Sequence, residues 1–238
     1  MFYLLGSLFV LLVFSALLLF RPDLRRQGLI PALLFTPYGP ISEMLYFRDY
    51  WLPEPVLPPL VMFGQMILIE DCVFAFAIVG LMSVAYDVTL RKKPVEGVFP
   101  TRTGLAVALS LAALLIFIGL SLVPGLNSIL VSAAVAIVFA LPMLRLRPDL
   151  WPVALGSSLI LGCTTFVFYM GILSFPGAVD YQQTVWKLPL ETAAWRVFGL
   201  PVPLTELLWA VSTAFYYSIV YKFAVGCGYQ PKNIASYG

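Results

Sequence analysis

The sequence contains no histidine and only 3 cysteines in 238 residues. The commonest general base and metal ligand is therefore missing, which excludes haem and copper sites built on histidine. Cys72, Cys163 and Cys227 lie far apart and form no CxxC pair, so neither a zinc site nor a disulfide framework is indicated. No glycine-rich dinucleotide fingerprint is present. We expect no metal and no cofactor, and we expect carboxyl groups to carry any proton transfer.

Charged residues are also scarce. They make up 11% of the chain against 61% hydrophobic residues, whereas a soluble domain carries about a quarter charged residues. This composition predicts an integral membrane protein, and at about 20 residues per crossing the chain has room for six to eight helices and no soluble domain. The net charge of +2 and the absence of a basic run give no reason to expect nucleic acid as a partner.

The apolar segments predict an all-α protein with seven transmembrane helices. They cover approximately residues 2–20, 28–47, 57–86, 104–123, 127–144, 151–175 and 203–225. The second segment contains Pro31, Pro37 and Pro40, and we expect it to be a broken helix because an internal proline removes a backbone hydrogen bond.

The distribution of Lys and Arg predicts the orientation in the membrane. If the broken segment spans, eleven of the fourteen basic residues share one side, in regions 21–26, 91–102 and 145–147 and near the C-terminus. Basic residues accumulate on the cytoplasmic side. We therefore expect a multi-pass protein of the cell membrane with its N-terminus outside and its C-terminus in the cytoplasm.

Two segments of the chain have similar patterns. Ile69–Tyr86 reads IEDCVFAFAIVGLMSVAY and Pro203–Tyr221 reads PLTELLWAVSTAFYYSIVY, so that Asp71 aligns with Glu206 and Phe74 with Trp209. This internal repeat predicts one membrane domain over 1–238, built from two parallel three-helix repeats, 1–103 and 127–226. Residues 104–126 form a linking helix and 227–238 a polar tail. Shared sites in such proteins lie between the halves.

Four acids in or beside these helices are candidate catalytic residues: Glu43, Glu70, Asp71 and Glu206. Acids in transmembrane segments usually face a bundle interior or a cavity. The predicted start at residue 57 places Glu70 and Asp71 more than three turns into their helix, and only one of these neighbours can face the centre of a site. Two alternative interpretations remain open: a structural hydrogen bond from Glu70 or Asp71 to a neighbouring helix, and capping by Glu206 of its own helix after Pro203.

Aromatic residues accompany these acids. Trp209, Thr213 and Tyr216 lie on the helix face that Glu206 begins, Phe74 follows Asp71, and Tyr46 follows Glu43 in PISEMLY, a close match to PLTELLW. Such a wall suits an apolar, unsaturated substrate, and its ring faces stabilise a cation. We predict that these five residues bind substrate.

The segments IEDCVFAFAIVG, with Tyr86–Asp87, and PLTELLWAVS, with Tyr221, resemble the lycopene cyclase domain family of membrane-embedded, non-flavin carotenoid cyclases, in the form with both halves fused. The resemblance implies a redox-neutral isomerisation in which a proton starts ring closure at the end of a carotenoid or another long apolar polyene. It implies that Glu206 or Glu70 is the acid and Asp71 its partner, with Glu43 a further candidate.

Other functions remain open at this point. A non-catalytic carotenoid-binding subunit of a larger complex would suit Leu68, Thr205 and Lys222, which depart from the family pattern, and a protein partner or a homo-oligomer is also compatible. A retinal protein would use Lys222, but we interpret this residue as a lysine that reaches to the cytoplasmic interface. A transporter would use the broken second helix.

Overall fold

A computed structural model describes residues 2–62, 65–187 and 194–229 of the chain. The protein is mostly helical, at 73%. The described α-helices, numbered in chain order, are α1 (Phe2–Phe20), α2 (Arg25–Phe35), α3 (Tyr38–Asp49), α4 (Ile69–Thr89), α5 (Thr103–Ser121), α6 (Ser128–Leu146), α7 (Trp151–Leu173), α8 (Ala178–Val185) and α9 (Leu204–Val225). Short 3-10 turns at Pro22–Leu24 and Pro148–Leu150 lead into α2 and α7.

Three short antiparallel strand pairs lie between the helices, which the all-α prediction did not include. They join β1 (Leu60–Met62) to β2 (Gln65–Ile67), β3 (Pro94–Val95) to β6 (Gly228–Tyr229), and β4 (Ala194–Val197) to β5 (Leu200–Pro203). The first and third pairs lie within the connections that precede α4 and α9, and the second joins the α4–α5 connection to the segment after α9.

Five of the nine described helices, α1, α4, α5, α6 and α7, are long and apolar enough to cross a membrane. Their outward faces are apolar: Leu12, Leu115 and Leu159 are 67–69% exposed. A soluble monomer rarely shows such large apolar surfaces. These helices therefore fit the membrane protein that the composition predicts.

Helix α9 lies at the centre of the bundle. It packs against α4, α5, α6 and α7, and Ala214, Ile219 and Phe223 are completely buried in the core. Its serine, threonine and tyrosine residues make it less apolar than the five outer helices. A helix surrounded by other helices does not need an apolar surface all round, because its polar groups find partners within the bundle.

Helices α4 and α9 pack side by side and run in the same direction. Near their first turns the Phe74 ring stacks on the Trp209 ring, with centroids 6.0 Å apart. Near their last turns the Lys222 ammonium lies 2.8 Å from the Asp87 carboxylate. In the alignment of the two segments Phe74 is equivalent to Trp209, and the same offset makes Asp87 equivalent to Lys222. Equivalent residues are thus direct neighbours at both ends of the two helices.

The contacts at the ends of the helices define two ends of the bundle. At the basic end, where α4 and α9 finish, Arg21 donates to the Asp87 carbonyl (3.2 Å) and Arg147 to the Cys227 carbonyl (2.6 Å). At the acid end, where α4 and α9 begin, the Lys187 amide donates to the Tyr50 carbonyl at 2.8 Å. The basic regions that the sequence placed on one side therefore meet at one end.

The broken second segment runs from the basic end to the acid end. Helix α2 starts where Arg26 pairs with Glu96 (3.3 Å), and α3 finishes where the Asp49 carboxylate accepts the Ser128 amide at the start of α6 (3.1 Å). The break falls between Phe35 and Tyr38. Just after it, a β-carbon on Gly39 would lie 2.6 Å from the Asp71 carbonyl, so only glycine allows α3 to approach α4 this closely.

Helix α4 begins at Ile69, twelve residues after the predicted start, and this part of the prediction is wrong. Four prolines between 53 and 59 prevent a helix there, and β1 and β2 follow. Glu70 and Asp71 are consequently in the first turn of α4, as Glu206 is in the first turn of α9, and not several turns inside the helix.

The predicted polar tail 227–238 is ordered at its start. Cys227 is buried, and Tyr229 in β6 donates a hydrogen bond to the Asp87 carboxylate (2.7 Å). Residues 230–238 lie outside the described residues.

Candidate functional site

Two cavities lie side by side toward the acid end. The first has a volume of about 160 Å³ and is bordered by α1, α3, α7, α8 and the start of α9. The second has a volume of about 110 Å³ and lies deeper, among α3, α4, α5, α6 and α9. Glu43, Tyr46, Phe74 and Trp209 line both cavities and so form the wall between them.

Glu206 faces the first cavity from the first turn of α9. The Tyr50 hydroxyl donates a hydrogen bond to its carboxylate and lies 3.2 Å from the Thr205 hydroxyl. Tyr169 of α7 lies beside the same carboxyl group. The helix dipole favours an acid at this position, yet the side chain also borders a cavity, so the capping interpretation and a chemical role are compatible.

Glu43 is buried in the wall between the cavities. The Trp51 indole N–H donates a hydrogen bond to its carboxylate at 2.8 Å. The chain beyond α3 turns back at Tyr50 and Trp51, which brings the indole over the helix it has just left. Glu43 is the one candidate acid that borders both cavities.

Asp71 borders the second cavity. One carboxylate oxygen accepts the Leu68 amide at 3.2 Å and so caps α4, and the other accepts the Tyr3 hydroxyl of α1 at 2.7 Å. The structural interpretation of Asp71 therefore holds in part, since this side chain fixes the start of α4 and the position of α1 while it faces the cavity.

Glu70 is directed elsewhere. Its carboxylate accepts the backbone amides of Val56 and Leu57 at 3.2 Å each, and it lines neither cavity. Its second oxygen has no hydrogen-bond partner among the described residues. Glu70 thus holds the proline-rich connection before α4, and the structure does not bring it to the candidate site.

Aromatic rings form much of the cavity walls. The Phe74–Trp209 stack separates the cavities, and Tyr3 lies edge-on to Trp51 with centroids 4.8 Å apart. In the second cavity the Tyr216 hydroxyl lies 2.7 Å from the Ser110 hydroxyl. All five residues that the sequence predicted to bind substrate line at least one cavity: Tyr46, Phe74, Trp209, Thr213 and Tyr216.

The candidate acids have neutral hydrogen-bond donors only. Within residues 2–62, 65–187 and 194–229, none of the four forms an ion pair with a lysine or arginine. The donors to Glu43, Asp71 and Glu206 are the indole of Trp51, the hydroxyls of Tyr3, Tyr50 and Tyr169, and the Leu68 amide. A carboxyl group with such partners, in an apolar cavity, can accept and release a proton without breaking an ion pair.

The Lys222 ammonium is buried inside the bundle, and the expectation that this side chain reaches out to the cytoplasmic interface is wrong. Its side chain is 1% exposed and pairs with Asp87, which also accepts hydrogen bonds from Gln27 (2.6 Å) and Tyr229. Burial and the Asp87 carboxylate raise the pKa of Tyr229. Lys222 lines neither of these two cavities, so neither would place a ligand at its ammonium group.

Among the described residues no three His, Cys, Asp or Glu side chains are placed to hold a metal ion. Glu43, Asp71 and Glu206 border the cavities, each with an aromatic donor of its own. This arrangement suits separate proton transfers along a cavity better than a shared ligand set.

The sequence interpretation missed the hydrogen-bond donors. Tyr50 and Trp51 belong to FRDYW, an aromatic cluster that follows Glu43 by one to two helical turns and could have indicated them. Tyr3 and Tyr169 carry no such signal, because they lie on α1 and α7 and reach the acids only through tertiary packing.

Comparison with protein-family models, with curated proteins and with solved structures found no match to this chain, so the functional argument depends on the two cavities and their acids.

Proposed function

We propose that this chain is a membrane-embedded cyclase that closes a ring at the end of a long apolar polyene, the activity implied by its resemblance to the lycopene cyclase domain family. One observation carries the proposal: the paired cavities are lined by aromatic rings and bordered by three acids whose described partners are all neutral donors. An apolar polyene fits such walls, and acids without cation partners suit a reaction that starts and ends with proton transfer.

The proposal includes seven transmembrane segments, in which α2 and α3 together form a broken crossing and α9 forms the central one. The contacts of Arg26 at one end and Asp49 at the other support the broken crossing. The side-by-side packing of α4 and α9 supports a parallel repeat. Basic residues concentrate at the basic end, which supports a cytoplasmic location for it and an outside N-terminus.

The chemistry is an isomerisation. A carboxylic acid adds a proton to the terminal double bond, which leaves a carbocation on the neighbouring carbon. The next double bond attacks that carbon and closes a six-membered ring, and a base removes a proton from the ring to restore a double bond. One proton enters and one leaves, so no oxidant, reductant or cofactor is consumed. Aromatic ring faces stabilise the cation between these steps.

We assign the proton donor to Glu206 and the acceptor to Glu43, because both border the first cavity. This assignment differs from the one that the resemblance implies: Glu70 lines neither cavity and Asp71 borders only the second. Phe74 and Trp209 lie in the wall beside Glu43, where their rings would face the developing cation.

The test is expression of the chain in bacterial cells that accumulate lycopene, followed by chromatography of the extracted pigments with absorbance and mass detection. A cyclic product of unchanged mass supports the cyclase. Glu206→Gln and Glu43→Gln should each lower ring formation by about 10²–10⁴-fold, the usual contribution of general acid–base catalysis.

Glu70→Gln is the matched control, since Glu70 is a buried acid of the same helix turn as Asp71 but lies apart from both cavities. It should leave ring formation unchanged. Full activity of both Glu206→Gln and Glu43→Gln would overturn the assignment. Lycopene that co-purifies with the protein without conversion would favour the non-catalytic binding subunit instead.

A further inference from the structure

The wall of the first cavity has small side chains on α1 and large apolar side chains on α7. On one side it is formed by Gly6, Ser7 and Val10 near the start of α1, and on the other by residues of α7 that include Phe168 and Ile172. Gly6 and Ser7 are among the smallest side chains, so the wall on the α1 side is thin. A β-carbon added to Gly6 would lie 3.8 Å from the Phe168 ring, in ordinary contact.

We call the contact between α1 and α7 at this wall the seam. The two helices are held from opposite sides of it. Helix α1 packs mainly against α4, and α7 packs mainly against α9. The second half of α1 is anchored by Phe14, which is 1% exposed and fits so closely that a β-carbon on Gly80 would lie 2.2 Å from its ring. The first turn is anchored by the hydrogen bond from the Tyr3 hydroxyl to Asp71, so the cavity-lining residues Gly6 and Val10 lie between two fixed points.

A pair of stacked rings closes the seam. Phe9 and Phe168 lie with centroids 6.0 Å apart and planes 23° apart. Phe9 is 52% exposed on the outward face of α1, where Leu5 and Leu12 are also exposed, whereas Phe168 borders the cavity. The stack therefore lies directly between the lipid-facing surface and the first cavity, and phenylalanine side chains can turn without breaking a hydrogen bond.

We propose that the seam between α1 and α7 is a lateral entrance through which the polyene passes from the bilayer into the first cavity, with Phe9 and Phe168 as its gate. The inference rests on the proposed function for the identity of the passenger. A long apolar polyene is dissolved in the bilayer and would have to leave it to reach an opening in water, whereas the seam connects the bilayer with the cavity directly.

The test is a reversible cross-link across the seam. Cys72, Cys163 and Cys227 are replaced by serine or alanine, and Phe9→Cys and Phe168→Cys are added. A short bismaleimide with a disulfide in its spacer joins the new thiols, and a reductant releases them. The purified protein is incubated with lycopene in detergent micelles, and the pigment retained after size-exclusion chromatography is extracted and measured over time. The same protein labelled with a monofunctional maleimide controls for the added bulk.

We expect the cross-link to slow lycopene uptake about tenfold or more, as closure of a required gate does, and reduction to restore it. Cross-linking after loading should retain the pigment against excess detergent. Phe168→Ala alone should speed lycopene uptake, because it removes one ring of the gate. This variant tests the entrance without a cross-link. Equal uptake by the cross-linked and the monofunctionally labelled protein would overturn the entrance.

This readout separates the entrance from the chemistry. Retained lycopene with a cross-link-dependent rate, but no ring product, supports the entrance and contradicts the cyclase. Protein that retains no lycopene in any form contradicts the polyene site itself, and the entrance with it.

Discussion

The two ends of α4 and α9 treat buried carboxyl groups in opposite ways. At the basic end Asp87 is completely buried and is matched by the Lys222 ammonium, with Gln27 and Tyr229 as further donors. At the acid end the described partners of Glu43 and Glu206 are aromatic N–H and O–H groups. Both arrangements satisfy hydrogen bonds, but only the first supplies an opposite charge to the carboxyl group.

The difference separates stability from chemistry. A carboxylate that is paired with a cation in a dry environment is ionised, and removal of its partner leaves a charge that the interior cannot solvate. A carboxyl group with neutral donors can exchange its proton while its neighbours stay in place. We therefore expect mutations of the buried charges at the basic end to affect folding, and mutations of the acids at the acid end to affect the reaction.

The largest stability effect should come from Lys222→Met. It leaves Asp87 buried without its cation, which costs about 3–5 kcal/mol in comparable buried pairs. Titration with SDS of the protein in detergent micelles, followed by circular dichroism, measures the loss. The double variant Asp87→Asn with Lys222→Met should recover much of it, because no unpaired charge remains. A single variant as stable as the parent would show that the pair does not hold the basic end together.

Removal of an aromatic donor at the acid end should cost less. Tyr3→Phe keeps the ring beside Trp51 but leaves one Asp71 oxygen without the hydroxyl, a loss of about 1–3 kcal/mol. The same unfolding titration applies. A double-mutant cycle with Asp71→Ala isolates the contact, and additive effects in that cycle would mean that the two side chains do not interact.

Glu206→Gln should change stability by less than about 1 kcal/mol, since an amide oxygen can still accept the Tyr50 hydroxyl. Unfolding of this variant is compared with that of Lys222→Met in the same detergent. Equal destabilisation by Glu206→Gln and Lys222→Met would contradict the difference between the two ends, because it would show that folding also depends on the carboxyl group at the acid end.

The smallest effect should come from Arg26→Ala at the basic end. Arg26 pairs with Glu96 at 3.3 Å, but its side chain is 77% exposed. Exposed pairs contribute about 0–1 kcal/mol, and salt weakens them further. The unfolding midpoint should stay close to that of the parent at both low and high salt. A loss as large as that of Lys222→Met would mean that burial does not decide which pair matters.

The sequence predicts the helices well where composition alone decides. Long apolar runs indicate α1, α5, α6 and α7, and Pro37 marks the break between α2 and α3. The predicted start of α4 at residue 57 is wrong because the apolar residues between 57 and 68 resemble a transmembrane segment in composition. The prolines decide otherwise, through the backbone hydrogen bonds that they cannot form.

The candidate site was predictable in its residue types and only partly in its geometry. Acids next to aromatics indicated Glu43, Asp71, Glu206 and their neighbours. Whether Glu70 or Asp71 faces a cavity depends on the rotation of α4, which periodicity in an almost uniformly apolar helix does not determine. The partners Tyr3 and Lys222 depend on packing between distant segments, 68 and 135 residues away from Asp71 and Asp87 respectively.

The pairing of Asp87 with Lys222 also bears on how α4 and α9 recognise each other. If a second copy of α4 took the position of α9, two buried carboxylates would face each other, and a second α9 in place of α4 would bring two ammonium groups together. Either arrangement is repulsive in a dry interior. One pair of opposite charges therefore makes α4 and α9 complementary rather than interchangeable, and it disfavours pairing of α4 with α4, or of α9 with α9, between two chains.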